Sequence, residues 1–135
     1  MRTLSARIHI VLIALAMVFL LACGGGGSGG GGGSYSSTLT WIISDQCVDG
    51  RGTLIRFFDR TDGGFWPGSG GYYSMNAGDT RQVTLSCDFG NKICYGARTD
   101  PYDGGFWGLD VNGNQSCSNC CTTCDGDTVR KNLGC

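Results

Sequence analysis

The chain has 135 residues, with ten Lys and Arg against eleven acidic residues and a formal net charge of −1. A balance this mild argues against a nucleic-acid partner, which needs basic residues gathered on one face. All eleven acidic residues are Asp, and the only histidine is His9. Beyond residue 9 there is therefore no His-based general base, no Ser–His or Cys–His pair and no imidazole metal ligand.

Arg2 and Arg7 give the N-terminus a positive start, and Ile10 to Ala22 is an unbroken run of thirteen apolar residues. That is the length of a signal-peptide core and short of the ~20 residues that span a bilayer. The run closes on Leu20-Leu21-Ala22-Cys23, which resembles the lipobox of bacterial lipoproteins. The resemblance implies a signal peptide over residues 1–22, cut just before Cys23, with that cysteine diacylated on sulfur and acylated on its new amino group. Two acyl chains anchor stably where one gives only marginal binding. Gly24 stands where the family's inner-membrane retention signal has Asp. The implied address is the bacterial cell envelope, with the outer membrane favoured. An ordinary secretory signal with a cysteine near its end is the alternative.

Gly24 to Ser34 holds nine Gly and two Ser. Such a segment behaves as a flexible coil with a mean reach of about 17–20 Å. Residues 23–34 thus read as a lipidated cysteine plus tether carrying a domain over residues 35–135.

That domain, 101 residues long, carries eleven Asp, six Arg and two Lys for a net charge near −3, with sixteen Gly and no Glu. Helix-favouring surface residues are scarce, and turn and strand residues abound. The composition predicts an all-β fold, a small antiparallel sandwich or barrel of about six strands. Expected strands are Thr38–Ser44, Thr53–Asp59, Gly71–Asn76, Thr80–Cys87, Lys92–Ala97 and Gly105–Val111, each rich in Thr, Ile, Val or aromatics and bounded by turn residues. Met75 to Asp79 reads as a hairpin turn with Gly78 free to take positive φ, and Asp88 to Asn91 as another.

Two stretches read alike. One runs Cys47-Val48-Asp49-Gly50, an apolar strand, Arg60-Thr61-Asp62 and Gly63-Gly64-Phe65-Trp66. The other runs Cys87-Asp88-Phe89-Gly90, a strand, Arg98-Thr99-Asp100 and, after three extra residues, Gly104-Gly105-Phe106-Trp107. Two copies cannot close a propeller, so a duplicated hairpin unit within one domain is expected. Chance recurrence in a Gly-, Asp- and aromatic-rich chain is the alternative.

Besides Cys23 there are eight cysteines: Cys47, Cys87, Cys94, Cys117, Cys120, Cys121, Cys124 and Cys135. An even number in an exported domain of this size predicts four disulfides stapling a small core. Cys87 and Cys94 flank an expected turn and are expected to bond across it. Cys117 to Cys124 spells C-x-x-C-C-x-x-C, but eight consecutive residues form a four-sulfur tetrahedron only with strain. No metal and no cofactor is assigned. Cys120 and Cys121 are expected to reach opposite sides of the chain and to pin the tail, Cys135 included, onto the sheets.

Asp110 to Asn114 follows the opening of a calcium loop, but its sixth position is Gln115 and its twelfth Cys121, so a tight turn is the better reading. Asp59 with Asp62, and Asp100 with Asp103, have the residue types for acid–base hydrolysis; turn Asp is the commoner role, and no catalytic residue is assigned. Phe65-Trp66 and Phe106-Trp107 stand at matching repeat positions. Neighbouring side chains on a strand point to opposite faces, so one ring of each pair is expected in the core and one outside; packing of both in the core is the alternative. The outer rings, flanked by Arg60 and Arg98, would form a shallow platform for a sugar ring or a peptide.

Trp41 to Cys47, Phe65 to Gly68 and Tyr73 to Gly78 together resemble the opening of thaumatin-like sandwiches. The likeness covers under half of the domain, and the family's acidic cleft residues find no counterpart here, so no residue role is carried over. The domain resembles small cysteine-rich bacterial lipoproteins. The expectation is a lipid-anchored, non-enzymatic binding or surface-interaction module for a glycan or protein, with a structural envelope protein or an Asp-based hydrolase as alternatives.

Overall fold

The structure, a computed structural model, describes residues 35–135. The expected signal peptide, the expected lipidation site Cys23 and the expected tether lie outside the described residues. Within them the chain folds as nine β-strands without a helix: β1 (Ser36–Asp45), β2 (Gly52–Asp59), β3 (Phe65–Trp66), β4 (Tyr73–Met75), β5 (Thr80–Asp88), β6 (Lys92–Asp100), β7 (Phe106–Gly108), β8 (Cys121–Thr123) and β9 (Thr128–Leu133).

The strands make two sheets. One has three strands in the order β5-β1-β9, and the other runs β3-β2-β6-β7, with β4 also on β2 and β8 also on β6. Every pairing is antiparallel except β1 with β9, which is parallel. Alternation along the long strands decides which face is inside. Leu39, Trp41 and Ile43 of β1, Val83 and Leu85 of β5, and Leu133 of β9 bury toward Ile55 and Phe57 of β2 and Ile93, Tyr95 and Ala97 of β6 in one shared core. Trp41 bridges the two sheets, its ring 5.5 Å from Phe57 and 5.7 Å from Tyr95, centroid to centroid. Burial pushes the Tyr95 phenol above its ordinary range.

The strand count exceeds the six expected because two added pieces are too short to show a periodic pattern and a third is largely polar. β3 and β8 have two and three residues, and β9 carries the polar Thr-Val-Arg-Lys-Asn-Leu of an edge strand. The two expected hairpin turns both form as turns. Asp79 N–H donates to the Asn76 carbonyl at 3.1 Å, and Asn91 N–H to the Asp88 carbonyl at 3.0 Å. Gly78 and Gly90 sit at φ 80° and 91°. Neither turn closes a hairpin, because each passes the chain from one sheet to the other.

That crossover overturns the expected Cys87–Cys94 bridge. Cys87 ends in the three-stranded sheet and bonds Cys124, whereas Cys94 lies on β6 and bonds Cys121. Cys47 bonds Cys135 and Cys117 bonds Cys120. The expectation that the tail is pinned holds, since Cys121, Cys124 and Cys135 each reach a partner before residue 100. Cys120 and Cys121 do not point apart, however. Their sulfurs are 3.6 Å from each other, because β8 lays Cys121 against Cys94 and the preceding turn folds back beside it.

Candidate functional site

The repeat is real in three dimensions, but its frame differs from the one the Arg-Thr-Asp match suggests. The shared unit is Asp-Gly-Gly-Phe-Trp, at residues 62–66 and 103–107. In the first copy Phe65 pairs with Phe58 and Trp66 with Phe57. In the second, Phe106 pairs with Arg98 and Trp107 with Ala97. The closing bonds match as well, with Asp59 N–H donating to the Gly64 carbonyl at 2.8 Å and Thr99 N–H to the Gly105 carbonyl at 3.2 Å. The first glycine of each pair takes positive φ, 82° at Gly63 and 100° at Gly104, where a Cβ would be strained. Phe58, not Arg60, is therefore the partner of Arg98. Arg60 lies exposed in the turn after β2, and the ring-stacked arginines are Arg56, Arg81 and Arg98.

This register sorts the aromatic pairs. Trp66 and Trp107 pair with the inward residues Phe57 and Ala97, and both pack partly buried against the core. The Trp107 indole N–H donates to the Gly134 carbonyl at 2.7 Å. Phe65 and Phe106 pair with outward residues and are exposed. The expected split of each pair is thus present, with tryptophan inside and phenylalanine outside.

The outer face of the six-stranded sheet holds more than those two rings. Arg56 of β2 lies over Phe65 at 5.3 Å and over Tyr72 at 4.4 Å, and Arg98 of β6 over Tyr72 at 5.9 Å and Tyr102 at 5.5 Å. Tyr72 thereby touches both guanidinium groups. Arg56 is held in place through Nε and Nη2, which both donate to the Gly71 carbonyl. Arg98 Nε is buried without a hydrogen-bond partner. Among the described residues the one ion pair joins Arg51 to Asp103, so neither Arg56 nor Arg98 has a carboxylate. Arg56, Tyr72 and Tyr102 were not legible as site residues in sequence. Nothing in their spacing shows that the segment entering β4 and the turn after β6 bring both tyrosines to arginines on two neighbouring strands.

One half of this face is closed. At Gly96, opposite Arg56 in the β2–β6 register, an added Cβ would collide with the Asp110 backbone, and Gly113 lies against the Phe58 ring. The chain after β7 therefore covers that half, while Arg56 and Arg98 stay half-buried beside exposed rings.

The Asp pairs serve the turns. Asp59 Oδ1 accepts from the Thr61 and Asp62 N–H groups at 2.8 and 3.0 Å. The Asn91 amide bridges Asp59 and Asp62 at 2.7 and 2.6 Å. Asp103 accepts from the Thr99 hydroxyl, the Gly105 N–H and Arg51, which hold its carboxyl below the usual range in that order of importance. Asp100 is exposed at the end of β6. Compared with known proteins, the chain matches no family model, no curated protein and no solved structure.

Proposed function

We propose that the protein is a lipid-anchored cell-envelope module, tethered through Cys23 and residues 24–34, that binds a glycan or protein without catalysing a reaction. The observation that carries the binding half is the open Arg56–Tyr72–Arg98 face. Two guanidinium groups without carboxylate partners, set among exposed aromatic side chains, offer a cation and an apolar surface together. Stacked cations of this kind attract a partner more strongly as water leaves the contact. The anchoring half rests on the lipobox resemblance, and the outer membrane of a bacterial envelope is the site proposed for it.

Two experiments test the reading. The intact mass of the mature protein should show cleavage before Cys23 with added acyl chains, and Cys23→Ser should remove them. Recovery of wild-type protein entirely in the soluble fraction at its unmodified mass would contradict the anchor. For the binding half, the full-length protein should be retained on a glycan array or on isolated envelope material. Phe65→Ala/Phe106→Ala should lose that retention while staying folded; a wild-type protein that binds none of these surfaces would point to a purely structural role.

A further inference from the structure

The geometry points to an acidic sugar as the ligand of this face: a pyranose bearing a carboxylate, its ring laid on the exposed aromatic side chains and its carboxylate on Arg98 and Arg56. The inference rests on the binding function proposed above and narrows its ligand.

The sheet itself argues for a ring rather than an extended peptide. Peptides that join a sheet do so along an unpaired strand edge, where main-chain groups supply the affinity. The strands carrying the arginines have no such edge. β2 is paired with β6 on one side and with β3 and β4 on the other, and β6 with β2, β7 and β8. A ligand here meets side chains alone. Those side chains are the flat rings of Phe65, Tyr72, Tyr102 and Phe106, exposed by 40%, 36%, 59% and 43%, with the guanidinium groups among them. The C–H face of a pyranose matches such rings, and a carboxylate on its rim meets a planar donor fork in the strongest hydrogen-bonding geometry a protein offers.

Charge selects the acid over the neutral sugar. The domain as a whole is negative, with eleven Asp against eight basic residues between Tyr35 and Cys135, so an acidic ligand is favoured only where cations without carboxylate partners gather, as Arg56 and Arg98 do around Tyr72. The nearby Asp103 is already matched by Arg51. Neither Arg98 nor Arg56 has such a match, and a guanidinium without a carboxylate gains a charge-assisted hydrogen bond when an acid arrives.

The test uses the full lipidated chain in detergent micelles and three probes: polygalacturonate, its fully methyl-esterified form, and poly-L-glutamate. The expected result is retention of polygalacturonate, about tenfold or more weaker for the ester, weakened likewise by Arg98→Gln and Arg56→Gln and by raised salt. Arg130→Gln, on β9 of the other sheet, should leave retention unchanged. Near-UV circular dichroism establishes that each variant is folded, and Arg56→Gln carries the test if Arg98→Gln does not fold. Equal binding of acid and ester, unmoved by either arginine variant, would overturn the acidic-sugar assignment and leave the binding module standing. Preference for polyglutamate would overturn it in favour of an acidic peptide. No retention of any probe would also overturn it, while the envelope-retention experiment decides the broader reading separately.

Discussion

The two Asp-Gly-Gly-Phe-Trp hairpins make the same backbone shape and meet different fates. Both bend after a core strand, close on the carbonyl of their second glycine and send a tryptophan inward and a phenylalanine outward. The β2–β3 copy is clasped by a buried carboxylate, Asp59, shared between its own turn and the Asn91 amide. The β6–β7 copy has Thr99 at that place, and its turn is held by Asp103 with Arg51 reaching across. The outer faces differ more. The glycine that pairs with Arg56, Gly96, admits the Asp110 backbone, and beside it the Cys94–Cys121 bridge ties β6 to β8. A short local motif thus sets a hairpin with its phenylalanine exposed in both copies, and the residues next to it decide how the turn is clasped and how far the chain after β7 covers the sheet beside it.

Filling the gap that lets the chain cross should break this contrast most severely. Gly96→Ala sets a methyl group against the Asp110 backbone, which has no flexible side chain to yield. Overpacking usually costs 1–3 kcal/mol, and a backbone collision belongs at or above the top of that range. Chemical denaturation should show a loss of about 3 kcal/mol or more. A loss under 1 kcal/mol would mean that the crossing is not held there.

The inward rings come next. Full truncation of a buried tryptophan costs ~3–5 kcal/mol. Trp66 and Trp107 are only partly buried, so about 2–3 kcal/mol is expected for Trp66→Ala. Trp107→Ala should cost roughly 1 kcal/mol more, because its indole also bonds the Gly134 carbonyl. Equal losses would remove that asymmetry between the hairpins.

A smaller effect separates the turn clasps. Asp59→Ala leaves the Thr61 and Asp62 N–H groups without their side-chain acceptor and the Asn91 amide with Asp62 alone, and about 1–3 kcal/mol is expected in thermal unfolding. In the second hairpin the contrast is read by pH. Asp103 is held below its ordinary range, so its contribution is present above the unfolded carboxylate value near 4 and is lost as pH falls through the lowered folded value. A carboxyl titration by NMR should find Asp103 below the ordinary Asp value. Thr99→Val should move it upward more than Arg51→Gln does.

Much of the all-β architecture could be read from the chain, because β1, β2, β5 and β6 are long enough to show apolar alternation between Gly and Asp turns. The platform was half legible. Phe65 and Phe106 were marked by repetition, and a strand's two-residue period announced that their tryptophan neighbours would face the other way. Arg56 was not marked, since the Arg-Thr-Asp match drew attention to Arg60, two residues past the last paired position of the hairpin. Disulfide partners were hidden for a related reason. The turns at Met75–Asp79 and Asp88–Asn91 have the residues of hairpin turns, and only the sheet to which β5 pairs shows that they are crossovers. β1 sits between β5 and β9, and no local pattern reveals that β9 returns from the end of the chain to lie parallel to it.

The account stands or falls on inward rings that stabilise and outward rings that bind, and one paired measurement reads both. Melting temperature and retention on envelope glycan should be measured together for Phe65→Ala, Phe106→Ala, Trp66→Ala and Trp107→Ala. Both phenylalanine variants should melt within a few degrees of the wild type and lose retention, while both tryptophan variants lose melting temperature. Phenylalanine variants that melt as early as the tryptophan ones, or that keep full retention, would contradict it.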